Sequence, residues 1–435
     1  MTAEHNLQMN RKAGSYLEVL AVQPAAKLAL VTDDAAYTYG DLVQQALAIR
    51  RALGTGAVNK PKAARFIHQK SIVRQLLEFI ACSGTDLVPV IATEASQNQQ
   101  FDIGKIPDAA CMGVMTSGST GKSKLLWRSY HSWADFFPVQ DRIFGIDKNT
   151  VIFCQGSLAF TGNLNIYMDV LAAGGTIIAA EKFRPRSWLH MLEQYGANTI
   201  YLIPSKLMLL PKFMQLANNK VRRIISGSQS MGRAEAERLA QVFLQAQLVL
   251  YYGASELNYI SYIDGGQMTD DRTLIGRPFP GVGVTVQDEE IFVHTAYGVE
   301  GITLPFSLKD RGRLDEDGQL HFLGRKDDIC NVNGIKIAAV KVEAALTQAL
   351  SGTVAGEAVH EAEAAVVALR SGDADVLTAF VAGGLRCTRQ ELLALLRPQL
   401  TDYEIPRQIV YLDELPKNES GKIDKMQLIK EYGNK

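Results

Sequence analysis

The chain has 435 residues, 47% hydrophobic and 21% charged, with a formal net charge of −1 at pH 7. That length predicts two or three domains with ample core, and the balanced charge excludes nucleic acid as the main partner, because phosphate backbones demand a basic excess. The five cysteines form no CxxC pair and the seven histidines no HExxH, so neither a disulfide framework nor a metal-binding cluster is expected, and the compartment reads as reducing. The start, "MTAEHNLQMNRKAG", lacks the apolar stretch of a signal peptide. No apolar run approaches the ~18 residues of a membrane span, so the expected location is the cytoplasm.

In chain order, "LALVTDD" predicts a strand ending in a turn, and "YTYGDLVQQALAIRRAL" carries apolar residues at helical spacing. "SIVRQLLEFIACSG" predicts a helix closed by Gly84, and "LVPVIA" a buried strand. The strand "ACMGVM" runs into "MTSGSTGKSK", Met115 to Lys124, and "HSWADFFPVQDRIF" is expected as one helix. Five short apolar runs then alternate with helix-length segments: "TVIFCQ", "GTIIAA", "NTIYLIP", "RRIISGS" and "QLVLYYG". This βαβα rhythm predicts a largely parallel sheet covered by helices. From about Gln287 the strands become short and closely spaced, with "DEDG" as a hairpin turn. After "GRKDD" come a helix ("AAVKVEAALTQAL"), a hairpin around "SGDAD", a helix ("TRQELLALLRPQL") and a strand ("RQIVYLDEL"). The expected fold is therefore α/β. A large N-terminal domain of parallel and mixed sheets with helices (1–326) is followed by a small mobile α+β C-terminal domain (328–435), the boundary falling at Asp327.

A strand that ends in a Gly/Ser/Thr-rich loop with lysines is built to hold phosphate. Glycines admit a close backbone approach, amides and hydroxyls donate, and lysines neutralise charge. The Walker pattern GxxxxGK[ST] fails by spacing, because its first glycine would fall at Thr116.

The loop is one of several ordered segments that resemble the adenylate-forming superfamily: acyl- and aryl-CoA synthetases, peptide-synthetase adenylation domains and luciferases. "TSGSTGKSK" is similar to that family's phosphate loop, and "YYGASE" (Tyr251 to Glu256) to its YGATE segment. "KDRGRLDEDGQLHFLGRKDDICNVNG" resembles its ribose-binding and hinge stretch, and "PRQIVYLDELPKNESGKIDK" its C-terminal lysine motif. The matches keep the family's order from about residue 37 to residue 425. The chain is shorter than a usual member, the missing length lying between "VPV" and "MTSGST".

The resemblance implies an AMP-forming carboxylate ligase using ATP and Mg²⁺. A carboxylic acid becomes an acyl-adenylate, which then passes to the thiol of CoA or of a carrier-protein phosphopantetheine. Thr116, Ser117, Gly118, Ser119, Thr120, Gly121 and Lys124 match the phosphate grip. Glu256 matches the acid that holds Mg²⁺, and Ser228, Gln229, Tyr252, Gly253 and Ser255 the adenine side. Asp310 matches the acceptor of the ribose hydroxyls, although Leu308-Lys309 replaces the family's Thr-Gly before it. Arg325 matches a nucleotide contact and Asp327 the hinge. Lys422 matches the catalytic lysine bridging the attacking carboxylate and AMP. Gly334 matches the thiol-transfer loop, with Asn333 in place of the usual Arg.

The acyl pocket is expected around Phe160, Asn163, Ile203, Gly227 and Ala254. The segment "CQGSLAFTGNLN" contains no acid to pair with a substrate ammonium, which favours a hydrophobic acyl or aryl acid over an amino acid. The competing expectations are a stand-alone amino-acid adenylation protein and a non-catalytic nucleotide-binding relative. An acyl carrier protein is a candidate partner.

Overall fold

A computed structural model describes residues 14–54, 61–92, 101, 103–117, 123–325, 329–332, 335–351, 362–371, 374–418 and 421–433. Internal contacts divide it into two units. The first takes Met1–Val284, Val293–Phe306 and Gly318–Leu320; the second takes Thr285–Phe292, Ser307–Asp317 and His321–Lys435.

The first unit contains strands β1 (Leu28–Thr32), β2 (Ala36–Thr38), β3 (Ala63–Ile67), β4 (Leu87–Ile91), β5 (Ala110–Ser117), β6 (Ser123–Ser129), β7 (Val151–Gln155), β8 (Thr176–Ala180), β9 (Thr199–Tyr201), β10 (Arg223–Gly227), β11 (Gln247–Ala254), β12 (Asn258–Asp264) and β13 (Leu274–Pro278). Its larger sheet runs β13-β12-β11-β10-β9-β7-β8-β1-β2, and a smaller sheet runs β3-β4-β5-β6. β1, β8, β7, β9, β10 and β11 are mutually parallel, with antiparallel strands at the margins.

Parallel strands covered by helices on both faces read as unbroken apolar runs. Thr176–Ala180 is accordingly buried throughout. One face packs Phe153, Ile178, Ile200, Ile224 and Leu250 against Trp188, Leu192, Leu239 and Phe243 from helices Pro185–Gln194 and Arg233–Val242 and the residue following the latter. Helix Thr161–Ala173 is buried from Leu164 to its end. Its Asp169 accepts from Gln140 Nε2 at 2.5 Å and lies against Asp141. Burial pushes the Asp141 carboxyl up to about 7 and raises that of Asp169 well above its ordinary value.

The segment expected as one helix over "HSWADFFPVQDRIF" is two: His131–Ala134 and Phe137–Phe144. Pro138 has no N–H to donate backward, so a continuous helix would lose a bond there, whereas an N-terminal turn loses nothing. Gly145, at φ 67°, ends the second helix.

The second unit takes most of each of β14 (Gly283–Gln287), β15 (Glu290–His294), β16 (Phe306–Leu314) and β17 (Leu320–Arg325), hydrogen-bonded in that order. Later come a hairpin of β18 (Ile329–Val332) with β19 (Ile335–Ala338), and a sheet of β20 (Ala362–Ser371), β21 (Ala374–Gly383) and β22 (Gln408–Leu412). β20 and β21 pair antiparallel, as the "SGDAD" turn predicts, and β22 joins parallel. The period of two sorts this sheet's side chains onto two faces. Ala364, Val366, Leu377, Ala379 and Val381 meet helices Ala339–Leu350 and Arg389–Leu396. Ala365, Val367, Leu369, Phe380 and Ala382 share the other face with Leu415 and with Leu428 of helix Lys425–Tyr432.

Candidate active site

Thr116 pairs with Lys124 and Ser117 with Ser123, so the Gly/Ser loop joins two antiparallel strands, β5 and β6. Thr116 is half-buried and Lys124 exposed. Gly118, Ser119, Thr120 and Gly121 lie outside the described residues.

Glu256 sits in the turn between β11 and β12. The pairing shifts between Tyr252 and Gly253. A side chain at Gly253 would put its Cβ 2.7 Å from Asn258 O, so this bulge requires glycine. The turn is held from three directions. Val299 N donates to Glu256 O at 2.9 Å, and Ser255 Oγ donates to Thr161 Oγ1 at 2.9 Å. Arg128 Nη2 and Nε both donate to Ser255 O, at 2.8 and 3.2 Å.

Arg128 is the residue that the sequence reading missed. It is 0% exposed and also donates to Tyr297 O (2.9 Å) and Ser132 Oγ (3.1 Å), with Trp133 stacked 5.6 Å away. Burial lowers its pKa to about 10, and Tyr16 and Glu256 oppose that shift. The sequence carries a weak signal of it: an arginine between Leu126 and Tyr130 in the inward phase of an apolar strand.

At the end of β10, Gly227 lies under the Tyr251 ring, where a Cβ would approach Tyr251 Cζ to 2.5 Å. Ser228 follows at φ 68°, and Gln229 Oε1 accepts from Ser205 N at 2.9 Å. Tyr251 is buried, its hydroxyl 2.6 Å from that of Tyr201, whereas Tyr252 is half-buried and Gly253 exposed. Phe160 caps helix Thr161–Ala173, Asn163 lies in its first turn, Ile203 follows β9, and Ala254 ends β11. Phe160, Asn163, Ile203, Gly227, Ser228, Gln229, Tyr252, Gly253, Ala254, Ser255 and Glu256 therefore gather along the carboxyl ends of neighbouring parallel strands, where open α/β sheets bind ligands.

Asp310 belongs to the second unit. It is 2% exposed on β16, with its Oδ1 3.5 Å from Arg325 Nε. Lys309, in the place of the family's glycine, takes φ 64°, a left-handed conformation that glycine adopts freely. Its ammonium pairs with Glu290 at 2.7 Å. The backbone shape before the acid is thus produced by a lysine.

Lys422 lies in a compact turn. Asn418 N donates to Lys422 O (2.8 Å), Lys422 N to Asn418 Oδ1 (3.1 Å) and Gly421 N to Asn418 O (2.8 Å), with Gly421 at φ 77°. Lys417 and Ile423 form a bridge across it. Asp327 and Gly334 lie outside the described residues.

Comparison with known proteins agrees with this fold. The family model "AMP-binding enzyme" matches residues 91–302, and "AMP-binding enzyme C-terminal domain" matches 355–422. An uncharacterized acyl–CoA ligase of Bacillus subtilis (strain 168) is 25% identical over 334 residues, 72% of this chain and 67% of the relative. The D-alanine–D-alanyl carrier protein ligase of Lactococcus lactis is 25% identical, covering 74% of this chain and 70% of its own. Among solved structures, the o-succinylbenzoate CoA synthetase of Bacillus subtilis, in complex with its acyl-adenylate intermediate, superposes with a TM-score of 0.78 at 18% identity, over 96% of this chain and 98% of that one. The likeness in fold extends across both units.

Proposed function

This chain belongs to the AMP-binding enzyme family, and from that premise we propose how its residues divide the work of an AMP-forming carboxylate ligase. The reaction activates a carboxylic acid with ATP to an acyl-adenylate, releasing pyrophosphate, and then transfers the acyl group to a thiol. The first step crowds negative charge, because a carboxylate must approach a triphosphate. Cations and donors placed in advance are what the protein contributes.

Thr116, Ser117 and Lys124 grip the β- and γ-phosphates from the strands that flank residues 118–122. Glu256 offers the carboxylate for Mg²⁺, a hard ion suited to carboxylate and phosphate oxygens, which when bound neutralises phosphate charge. Among the described residues no three His, Cys, Asp or Glu cluster. Tyr252, Ser228 and Gln229 face the base. Asp310 accepts from both ribose hydroxyls, a two-acceptor role that a carboxylate fills, and Arg325 adds a nucleotide contact. Lys422 bridges the attacking carboxylate and the AMP oxygens. The thiol then attacks the mixed anhydride and AMP departs. For that step we assign Asp327 as the pivot and Gly334 to the loop facing the site, with CoA or a carrier-protein phosphopantetheine as acceptor. Asp327→Pro should retain pyrophosphate exchange and lose thioester formation; equal loss of both would remove Asp327 from the hinge.

The acid is a hydrophobic acyl or aryl acid, set against Phe160 and the Tyr201–Tyr251 pair. No helix among the described residues is long and apolar enough to cross a membrane, and we place the enzyme in the cytoplasm. The observation that carries this reading is the gathering of the Glu256 turn, the Ser228 turn and the Phe160–Asn163 segment on one edge of one sheet. ATP–pyrophosphate exchange over fatty, aryl and amino acids tests it. Exchange with fatty or aryl acids is expected. Exchange with amino acids alone would make the chain an amino-acid adenylation protein, and none with any acid would make it a non-catalytic relative.

A further inference from the structure

Lys206 lies in the short helix Pro204–Leu207 that follows β9. Its ammonium is partly buried, and burial lowers its pKa to about 8, with no carboxylate among the described residues raising it again. No hydrogen bond or ion pair holds Nζ among the described residues. The contrast with Arg128 is direct, since that buried cation spends its donors on Ser255, Tyr297 and Ser132.

Gly156, which follows β7 at φ 120°, packs beside Lys206 and Asn163. A Cβ built there would lie 3.7 Å from Lys206 Nζ and 3.0 Å from Asn163 Nδ2. Two donor groups therefore lie together at Gly156, Asn163 Nδ2 giving one of its hydrogens to Ser157 O at 3.0 Å and keeping the other. This pair belongs to the site's edge. Ser205, next to Lys206, is tied through its N–H to Gln229 of the adenine-side turn at 2.9 Å. The strand order β11-β10-β9 puts β9 two spacings from the strand that carries the Glu256 turn, or about 10 Å. Tyr201 and Tyr251 lie between, their rings parallel within 7° and 6.3 Å apart.

A half-buried ammonium without a counter-charge is a standing cost to the fold, and a ligand's negative group would relieve it. We propose that Lys206, with Asn163 beside it, receives a second carboxylate at the far end of the substrate, so that the acid activated here is a dicarboxylic acid with an apolar middle. This rests on the reading of the site as acid-activating and narrows it.

The test is ATP–pyrophosphate exchange with matched pairs: suberate against octanoate, and terephthalate against 4-methylbenzoate. The unaltered protein should favour the diacid in kcat/KM in at least one pair, by about tenfold, the size of one partly desolvated charge contact. Lys206→Met should lower that diacid-to-monoacid ratio by a similar factor, through the KM of the diacid, and Lys206→Arg should largely keep it. The ratio does not depend on how much of a variant is folded. A preference for the monoacid in every pair, or a ratio unchanged in Lys206→Met, overturns the assignment while leaving acid activation standing. Absence of exchange with any acid overturns both.

Discussion

The turns that carry Glu256 and Lys422 are fixed in opposite ways. Glu256 stands on contacts between segments far apart in the chain. Arg128 reaches Ser255 O across 127 residues, and Thr161 meets Ser255 across 94. The Lys422 backbone is held by bonds within five residues, from Asn418 to Lys422, and Gly421 supplies the left-handed step. The difference suits the roles proposed for the two groups. A carboxylate that holds a cation against phosphate is useful only at one place relative to the phosphate strands, and only tertiary contacts fix such a place. A lysine delivered by its own unit needs a turn whose shape survives being carried, and local hydrogen bonds provide that. The comparison predicts that loss of a fastening at the first turn should appear in stability and metal use together, and damage at the second mainly in chemistry.

Lys422→Ala gives the largest expected effect. Removing a charge contact made to the reacting centre costs roughly 10²–10³ in adenylate formation. The turn's backbone bonds remain, so the thermal midpoint should fall far less than the activity does. Pyrophosphate exchange and a melting curve on one preparation check this. A midpoint that falls with activity would mean that the lysine side chain also holds its turn, and the contrast with Glu256 would collapse.

Arg128→Met comes next. The methionine fills much of the volume but leaves Ser255 O and Tyr297 O without their buried donor. That should cost about 3 kcal/mol of stability, since hydrogen bonds to charged groups are at the strong end of the range and the orphaned carbonyls are desolvated. The half-saturating Mg²⁺ in exchange should also rise, because the Glu256 turn loses one of its fastenings. A lower urea midpoint with an unchanged Mg²⁺ titration would limit Arg128 to the core. Glu256→Gln then separates charge from scaffold. The turn is held by backbone, Ser255 and Arg128 atoms, so stability should fall less than in Arg128→Met, while half-saturating Mg²⁺ rises about tenfold for the lost carboxylate. An unchanged titration would remove Glu256 from the metal.

The same contrast sets how far the site was legible in the sequence. The Lys422 turn is contiguous, "NESGK", so its glycine and its capping asparagine stand beside the residue they serve. The Gly253 bulge and the Gly/Ser loop are likewise local, and a run of residues announces them. Arg128 was not legible as Ser255's partner, because nothing within reach of a motif links a strand near residue 128 to a turn near residue 255. The proximity of Lys206 to Gly156, and the Tyr201–Tyr251 hydroxyl pair, are products of sheet order, which one sequence does not fix. Lys309 shows the converse failure. The missing glycine before Asp310 raised doubt about the local backbone, yet the chain keeps a left-handed φ there with a lysine whose head pairs with Glu290. The break at Pro138 was visible in the residues, but helical periodicity ran through it and concealed it.

The smallest expected effect tests whether the Lys422 turn is as self-contained as its bonds suggest. Asn418 Oδ1 accepts from Lys422 N at 3.1 Å, on an exposed segment. Asn418→Ala removes that acceptor and leaves the N–H to water, a loss of no more than about 1 kcal/mol for a solvent-exposed bond. Global stability should be unaltered within error. The turn would then sample other shapes, so exchange should fall a few-fold with KM for the acid unchanged, the signature of a group less often in place. Asn418→Asp keeps the acceptor and should restore the rate. If alanine left the rate untouched, the backbone bond from Asn418 N to Lys422 O and the φ of Gly421 alone would hold the lysine. If aspartate failed to restore it, the asparagine would be acting through its amide N–H donors rather than through the bond to Lys422.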